Sequence, residues 1–362
     1  MSPLLAGHDV IVTEAMRARF TPDKVPGGPA SIPISVSEQS QVGDVRRRAD
    51  ALGAHAGLSE AERGTLAVIT TEAATNLARH ASNGMIVLRA LGAPPSGVEL
   101  LALDTSPGIP DVFRAMADGY STMGTAGHGL GAMRRMASEF DLFSKATTGT
   151  ALLARIWSEH AIPSHVARLH CEGAVCVPIA TESACGDGWM FLHLPDRTLV
   201  VLADGLGHGP EAAAAADAAL RIVRESAALS LTQIIETVHR AIVATRGAAL
   251  AIAEIGVAEG VVRFAGVGNI SGVIASPDGC RNMASHHGTV GHSLHRVQEF
   301  TYPWGDDALL IMHSDGIMSR WRLDAYPGLA MHHPALVAGT LFRDFTRARD
   351  DATVLVLRRP HD

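Results

Sequence analysis

A chain of 362 residues is long for one hydrophobic core, since single domains most often hold roughly 100–150 residues, so we expect two domains. Its formal charge of −7 argues against a general nucleic-acid binder, and no stretch approaches the roughly 20 apolar residues that span a bilayer. The N-terminal residues lack a basic leader followed by an apolar block, so no secretory signal is expected and the cytoplasm is the predicted compartment.

The N-terminal part begins with a segment that does not favour regular structure. Proline and glycine are dense in residues 21–33, so residues 1–33 are predicted to be a flexible lead-in, with order beginning near Ile34. Apolar residues at helical spacing then predict one helix over 42–58 and a second over 59–81.

Short apolar runs follow and predict an open sheet covered by helices. Strand patterns lie at 84–91, 98–104, 140–146 and 150–157, and short helical patterns lie at 111–118 and 129–139. Periodicity is lost over 159–169, which include Pro163, so we place a linker there between a domain at 34–158 and a second at 170–358.

A pair of polar residues in the second predicted helix is a candidate site. Glu72 and Asn76 stand four residues apart, so both side chains lie on one helix face. A carboxylate can take a proton from a nucleophile, and an amide oxygen suits the Mg²⁺ that accompanies a nucleotide. Alone, this spacing fits two solvent-exposed polar residues better.

Two later segments strengthen the candidate. Asp104 ends the strand VELLALD and is followed by a turn, and the segment GTAGHGLGAM, with Gly124 among its glycines, comes directly before a helix. Glycines let backbone N–H groups approach phosphate oxygens, and a helix N-terminus favours negative charge. Any one glycine-rich loop could instead be a flexible turn.

Together, TEAATNLARHA, DTSPGIPD and AGHGLGAM resemble the N box and two glycine boxes of the GHKL (Bergerat-fold) ATPase superfamily, most closely its anti-sigma-factor serine kinases. The resemblance covers residues 34–158 and implies an α/β sandwich, with a mixed sheet covered by helices, that binds ATP with Mg²⁺. It implies that Glu72 is the general base, that Asn76 holds Mg²⁺ and that Asp104 hydrogen-bonds the adenine amino group. The other implied nucleotide contacts are Gly108, Gly127, Gly129, Gly131 and Thr150.

The first glycine box departs from the family pattern. The family usually has D-x-G-x-G, whereas this chain has Ser106 where the first glycine is expected. A side chain at this position could crowd the nucleotide, so the sequence favours ATP binding more firmly than phosphoryl transfer.

The C-terminal part is predicted to be rich in strands. Strand patterns lie at 198–205, 248–257, 260–268, 271–276, 307–316 and 352–359, and helices are predicted at 210–226 and 230–246. This mixture indicates an α+β sandwich.

Aspartates stand at the ends of these strands. Asp204 ends TLVVLADG, Asp315 ends DALLIMHSDG and Asp350 comes just before the last strand, while Asp187 adds a carboxylate in ACGDGW. One such aspartate alone is more often a turn former or a cap. Several beside the strands of one sheet suit Mg²⁺ or Mn²⁺, and two such ions about 3.5–4 Å apart can activate a bridging water.

The order GD, ADGLGHG, HSDG and DDAT resembles the metal-dependent protein phosphatase (PPM) family, specifically its sporulation stage II E branch, over residues 170–358. The resemblance implies an α-β-β-α sandwich that binds two Mn²⁺ or Mg²⁺ ions. It implies that Asp204 bridges both ions, that the Gly205 carbonyl binds one of them, and that Asp315 and Asp350 hold the other.

Three further residues belong to this reading. Asp350 is preferred to Asp351 because it occupies the first place of the family's closing D-[ND]-x-T pattern. Asp187 matches the early G-D and is implied as a metal-site residue that acts through a water or an outer hydrogen bond. His208 lies in the metal turn, where either proton transfer or a structural role is open.

These resemblances predict a phosphoserine/phosphothreonine phosphatase fused to an ATP-binding, serine-kinase-like domain in a bacterial partner-switching pathway. The implied partner is a phosphorylated STAS-domain antagonist; no nucleic-acid or membrane partner is predicted, and a homodimer is left open. Alternatively, the N-terminal domain is a non-catalytic nucleotide-sensing and partner-binding module that gates the phosphatase. A third reading is a phosphatase whose first domain is vestigial.

Overall fold

The computed structural model describes residues 27–92, 96–116, 129–159, 171–256 and 260–358. Its strands are β1 (Ile32–Ser35), β2 (Met85–Leu91), β3 (Gly97–Asp104), β4 (Glu139–Lys145), β5 (Gly149–Trp157), β6 (Cys171–Val177), β7 (Asp187–His193), β8 (Arg197–Gly205), β9 (Ala248–Gly256), β10 (Val261–Val267), β11 (Ser271–Ser276), β12 (Gly279–Met283), β13 (Phe300–Pro303), β14 (Leu309–His313) and β15 (Ala352–Arg358). Its α-helices are α1 (Val42–His55), α2 (Glu60–His80), α3 (Val112–Ala115), α4 (Gly129–Met136), α5 (Pro210–Glu225), α6 (Leu231–Ala241) and α7 (Pro334–Phe345). No helix in these ranges is both long enough and apolar enough to cross a membrane.

The N-terminal half is built on one five-stranded sheet in the order β1-β2-β3-β5-β4. The predicted sandwich of sheet and helices is confirmed, but the expectation of a mixed sheet is wrong, because all four described ladders are antiparallel. Parallel neighbours need a long crossover, whereas β2 and β3, like β4 and β5, follow each other closely and pair as hairpins.

Different parts of the chain bury the two faces of this sheet. Alternate residues of a strand point to opposite faces. Leu100 and Leu152 therefore lie in a core with the apolar residues of α1 and α2. Their neighbours Leu101 and Leu153 lie in a second core, which the sheet shares with the C-terminal half.

Order begins earlier than expected, because β1 pairs with β2 from Ile32 onward rather than from Ile34. Just before β1, the amide N of Gly28 donates to the carbonyl of Trp189 and that of Ser31 to the carbonyl of Cys176, each at 2.6 Å. The described end of the lead-in thus lies against the C-terminal half. Residues 1–26 and 160–169, the rest of the predicted lead-in and linker, lie outside the described ranges.

The C-terminal half consists of two five-stranded sheets packed face to face. Their strand orders are β13-β10-β9-β8-β7 and β12-β11-β14-β15-β6. Leu202, Phe264 and Leu310 lie in the core between the sheets. Helices α5 and α6 cover the outer face of the first sheet, and α7 covers that of the second. The predicted α-β-β-α sandwich is confirmed.

Helix α7 was not predicted from the sequence. All residues from Pro334 to Phe342 are buried, because α7 lies between the second C-terminal sheet and the N-terminal sheet. A helix that is apolar all round shows no polar face, so the usual periodicity is missing.

Other differences concern element ends and sheet edges. The helix predicted over 230–246 ends at Ala241, because the Thr245 hydroxyl donates to the Ile242 carbonyl at 2.7 Å and Gly247 turns the chain at a φ of 77°. In the C-terminal half, the strands that the sequence did not indicate are the edge strands of the two sheets, β6, β7, β12 and β13.

A row of alternating charges crosses the face of the N-terminal sheet that meets the C-terminal half. The register places Glu99 between Arg89 and Arg155, and Glu139 follows beside Arg155. Glu99 accepts hydrogen bonds from Arg89 Nη2 at 2.7 Å and Arg155 Nε at 2.8 Å. Arg155 also donates to the carbonyl of Glu172 in β6 at 3.0 Å, so the row joins the two halves.

Replacing Glu99 with glutamine should lower the free energy of unfolding by about 3–5 kcal/mol, because two buried guanidinium groups would lose their shared carboxylate. Burial by itself would raise the pKa of Glu99, but the charges of Arg89 and Arg155 hold it at about 2, below the ordinary 4.5. Because the folded pKa is depressed, the stabilisation is complete above pH 4.5 and is lost as the pH falls towards 2. Denaturant unfolding as a function of pH measures both effects.

Asp50→Asn is the matched control, because the ion pair of Asp50 with Arg63 lies at the surface, where such pairs contribute little. Equal losses of stability in the two variants, or a Glu99→Gln loss that does not shrink at acid pH, would contradict the role of the charge row.

Candidate functional site

Two carboxylates of the C-terminal half face each other on neighbouring strands. Asp187 begins β7, Asp204 lies one residue before the end of β8, and the register pairs them directly. Residues directly opposite in an antiparallel ladder carry their side chains on the same face of the sheet. The ladder therefore brings these two predicted metal-site residues together.

The loop after β14 adds Asp315 and ties itself to both sheets. The Asn269 side-chain amide donates to Asp315 Oδ2 at 2.7 Å. The Ser314 hydroxyl donates to Asp187 Oδ2 at 2.7 Å and accepts from the amide N of Thr353 at 3.0 Å. The orientations of two carboxylates are thus set by neutral side chains beside them.

Asp350 and Asp351 differ in what their carboxylates contact. Asp351 is buried, and its two oxygens accept from the amide N atoms of Ile179 and Gly186, each at 2.8 Å. Asp350 is half-buried, and its Oδ1 accepts from the amide N of its neighbour Asp351 at 2.9 Å. Backbone donors thus hold Asp351 in place, and Asp350 remains the predicted ligand.

The carboxylates at 187, 204, 315, 350 and 351, which we call the acidic cluster, include four whose pKa is raised: those of Asp187, Asp204, Asp315 and Asp351. Burial, followed by the charges of Asp187 and Asp315, raises the pKa of Asp204 to about 9. Burial also raises the pKa of Asp187 to about 7. Burial and the charge of Asp350 raise the pKa of Asp315. Cations among these groups would relieve the repulsion and favour the ionised forms.

The donor set of the acidic cluster fits divalent cations that prefer oxygen. It offers carboxylates from several segments, and Mg²⁺ and Mn²⁺ take such ligands while keeping several waters. In the described ranges, no three acidic, histidine or cysteine side chains already converge into a coordination shell. Neighbouring carboxylates are close enough to raise the pKa of Asp204 and Asp315, but the described residues do not form a closed cage.

The turn after Asp204 requires glycine. A Cβ on Gly205 would stand 2.1 Å from the carbonyl oxygen of Ala212. Further along the turn, His208 Nδ1 lies 2.8 Å from Glu182 Oε1, and the histidine side chain is half exposed. The predicted carbonyl ligand is therefore held next to Asp204, and His208 has a carboxylate partner.

In the N-terminal half, Glu72, Asn76 and Gly129 lie together. Glu72 and Asn76 are half-buried, one turn apart on α2. The position of a Cβ on Gly129 lies 3.7 Å from Glu72 Oε2 and 3.9 Å from Asn76 Nδ2. Helix α4, which contains the buried Gly131, therefore begins beside both side chains.

Asp104 and Ser106 lie at the end of β3 and are hydrogen-bonded to each other. Asp104 is buried at the end of β3, and its Oδ1 accepts from the amide N of Ser106 at 2.8 Å. The Ser106 hydroxyl accepts from the amide N of Ser82 at 2.9 Å and donates to the carbonyl of His80 at 3.3 Å. Ser106, which replaces the first glycine of the first glycine box, thus connects that box to the end of α2 by hydrogen bonds.

The remaining predicted nucleotide contacts lie near the same strand ends as Asp104 or outside the described ranges. Gly108 has a φ of 83°, and a Cβ there would stand 2.5 Å from the Lys145 carbonyl oxygen, so glycine is required. Thr150 lies directly opposite Asp104 in the ladder between β3 and β5. Gly127 falls within 117–128, which the structure does not describe.

Three residues beside these sites were not singled out from the sequence. Asn269 and Ser314 hold two carboxylates of the acidic cluster; both are polar residues next to strand ends, a signal that could have been noticed. Arg343 on α7 donates to the carbonyl of Asp104 at 2.5 Å across a separation of 239 residues. No local sequence pattern indicates the contact between Arg343 and Asp104.

Two family models match the chain. The model of stage II sporulation protein E (SpoIIE) matches residues 195–360, and the model of the histidine kinase-like ATPase domain matches residues 36–156. Strands β6 and β7 precede the first match but are members of the two phosphatase sheets.

Relatives of known activity match each half. The chain is 33% identical over 102 residues to the serine/threonine-protein kinase RsbT of Bacillus subtilis (strain 168), covering 28% of this chain and 77% of RsbT. It is 28% identical over 138 residues to the phosphoserine phosphatase RsbX of the same organism, covering 38% of this chain and 69% of RsbX. A crystal structure of RsbX in complex with magnesium is 22% identical, with a TM-score of 0.47, over 53% of this chain and 96% of that chain. The chain thus belongs to the histidine kinase-like ATPase family through its N-terminal half, and its C-terminal half matches the model of stage II sporulation protein E.

Proposed function

We propose that the acidic cluster is the active site at which the protein hydrolyses phosphoserine or phosphothreonine on a partner protein. The observation that carries this proposal is the assembly of Asp187, Asp204, Asp315 and Asp350 at one end of the sandwich, with repulsion among them. Two Mn²⁺ or Mg²⁺ ions bound there would supply an activated water and neutralise the phosphoryl oxygens.

The residues of this site have different proposed roles. Asp204 and the Gly205 carbonyl would hold the ions from β8, and Asp315 and Asp350 would hold them from the opposite sheet. Asn269 fixes the carboxylate of Asp315 through its 2.7 Å hydrogen bond. Outer hydrogen bonds of this kind orient ligands, and their loss typically costs about 10–100-fold in metal affinity or activity.

For the N-terminal half we propose ATP binding with Mg²⁺ and transfer of the γ-phosphoryl group to a serine of the partner. Glu72 would accept the proton of the attacking hydroxyl, and Asn76 would hold Mg²⁺, as their shared position beside Gly129 supports. Asp104 would accept a hydrogen bond from the adenine amino group.

The proposed partner is a STAS-domain antagonist that carries the phosphorylated residue. Support comes from the union, in one chain, of halves similar to the kinase RsbT and the phosphoserine phosphatase RsbX. The two reactions would add and remove the same phosphate group on the partner. We place the protein in the cytoplasm, and a homodimer stays open.

A two-stage incubation tests this function. The purified chain with ATP, Mg²⁺ and a candidate STAS protein should add phosphate to serine, and the chain with the phosphorylated protein and Mn²⁺ should remove it. Dephosphorylation that persists in excess EDTA would refute the metal-dependent site.

A second candidate function is a nucleotide-sensing module that gates the phosphatase without transferring phosphate. The observation that favours it is the hydrogen bond from Arg343 of the phosphatase half to the carbonyl of Asp104. ATP that changes the phosphatase rate while the STAS protein stays unmodified would favour this function over the kinase.

Replacing Asp104 with alanine should weaken ATP binding by roughly 10–150-fold, since a hydrogen bond that involves a charged group contributes about 1.5–3 kcal/mol. Titration calorimetry on the full chain measures the affinity. Asp44→Ala is the control, because Asp44 lies on the exposed face of α1, bonded to Arg47 and Arg48. Unchanged affinity in Asp104→Ala would remove Asp104 from the proposed pocket.

A further inference from the structure

Arg343 connects the last turn of α7 to the nucleotide side of the N-terminal sheet. Its side chain is 5% exposed. Nη1 donates to the carbonyls of Asp104 at 2.5 Å and Thr150 at 3.3 Å, and Nη2 donates to that of Thr148 at 2.7 Å. Nε and Nη2 also donate to the carboxylate of Asp344, each at 2.7 Å. All five N–H donors of the guanidinium group therefore have acceptors.

Neighbouring residues leave space for the Arg343 side chain and hold its carboxylate partner. Gly149 has a φ of 79°, and a Cβ there would stand 2.0 Å from the Asp104 carbonyl oxygen and 2.8 Å from Arg343 Nη1. The Tyr326 hydroxyl donates to Asp344 Oδ2 at 2.7 Å and so holds the carboxylate that aligns the guanidinium group. The contact is built from both halves of the protein.

The chain that leaves α7 lies against the segment that carries Asp315. The amide N of Arg347 donates to the Gly316 carbonyl, and the amide N of Met318 donates to the Phe345 carbonyl, each at 2.8 Å. The end of α7 is therefore fixed to the backbone directly after Asp315.

The same chain continues into the last part of the acidic cluster. Between Arg347 and Asp350, Ala348 has a φ of 54°, a conformation that residues other than glycine rarely adopt. Such a backbone persists only where its surroundings hold it. The position of Asp350 thus depends on the anchors at the end of α7.

We infer that Arg343 is a positioning residue that couples nucleotide binding in the N-terminal half to metal binding in the acidic cluster. The inference rests on the proposed nucleotide pocket at Asp104. A nucleotide held there orders the ends of β3 and β5, whose carbonyls hold Arg343. Arg343 in turn fixes the end of α7, from which the chain runs to Asp315 and Asp350. Because both sites need this element ordered, binding at one lowers the ordering cost at the other.

The test uses the full chain, the β,γ-imido analogue of ATP with Mg²⁺, and hydrolysis of p-nitrophenyl phosphate at buffered concentrations of free Mn²⁺. The analogue should lower the Mn²⁺ concentration for half-maximal rate by about 5-fold or more. Without Mn²⁺, it should slow amide hydrogen exchange in residues 314–318, a readout that does not depend on turnover.

Arg343→Met should remove both responses to the analogue, and Arg343→Lys should restore them only in part, because a single ammonium group cannot reach all three carbonyls. Arg358→Met is the matched control, since Arg358 donates to a backbone carbonyl within the phosphatase half, that of Ala330, at 2.9 Å. It should keep both responses. Circular dichroism checks that each variant is folded. If Arg343→Met is unfolded, Tyr326→Phe takes its place, and it should weaken both responses to the analogue.

The outcomes separate this inference from the proposed function. A wild-type chain that does not bind the analogue in a fluorescence titration would refute the nucleotide pocket. A chain that binds it, with an unchanged or increased requirement for Mn²⁺, would refute the coupling alone. Responses that survive in Arg343→Met would refute the role of Arg343.

Discussion

Replacing Asp204 with asparagine should lower the phosphatase kcat by more than about 10³-fold, because loss of an outer hydrogen bond alone costs roughly 10–100-fold and Asp204 is proposed as a direct, shared ligand. Its position supports this, since it stands opposite Asp187 and its pKa is raised to about 9 by burial and by the neighbouring carboxylates. Asparagine keeps the size of the side chain but removes the charge that balances the cations. Steady-state hydrolysis of p-nitrophenyl phosphate across a Mn²⁺ titration measures the loss.

Asp324→Asn is the control for the loss of one carboxylate, because Asp324 is exposed in the same half and pairs with Arg322 at the surface. It should keep the wild-type rate. An Asp204→Asn variant that recovers full kcat at high Mn²⁺ would show that Asp204 contributes affinity only and does not share in the reaction.

The Glu72→Ala variant should lose phosphorylation of the STAS partner by about 10²–10⁴-fold, the usual contribution of a general base, while ATP affinity and phosphatase turnover stay close to wild type. The reason is spatial. Glu72 and Asn76 lie on α2, beside Gly129 at the start of α4, whereas the acidic cluster lies in the C-terminal sandwich. Phosphate incorporation from labelled ATP, measured beside nucleotide affinity, tests the separation.

Glu60→Ala is the matched control, because Glu60 is an exposed residue in the first turn of the same helix. If Glu72→Ala abolishes nucleotide binding as well, Glu72 holds the nucleotide or the pocket rather than a proton. If the wild type transfers no phosphate although ATP alters the phosphatase rate, the nucleotide-sensing function replaces the kinase.

Much of the candidate site could be predicted because its signals are local. Glu72 and Asn76 share a face of α2 by helical spacing alone, and their position beside Gly129 agrees with the order of the boxes. The aspartates at 204 and 315 follow apolar runs whose length indicates strands, so their place at strand ends could be inferred without coordinates. Local spacing and apolar patterning thus indicated both halves of the protein.

The choice between Asp350 and Asp351 needed the tertiary structure for support. The two residues are adjacent and chemically identical, and only the family pattern preferred the first. In the fold, Asp351 accepts from the amide N atoms of Ile179 and Gly186, more than 160 residues away, so Asp350 stays the proposed ligand. Hydrogen bonds across such separations leave no trace in local sequence.

By itself, the sequence determined that each half combines sheets with covering helices, and it indicated the residue types of both candidate sites, because strand and helix periodicity and strand-end carboxylates are properties of short segments. Only the tertiary structure decided how the halves meet. Helix α7 has no polar face to reveal it, and it is buried on all sides because one sheet of each half packs against it. Arg343 reaches Asp104 for the same reason: the packing of two sheets on one helix brings together residues that no local pattern relates.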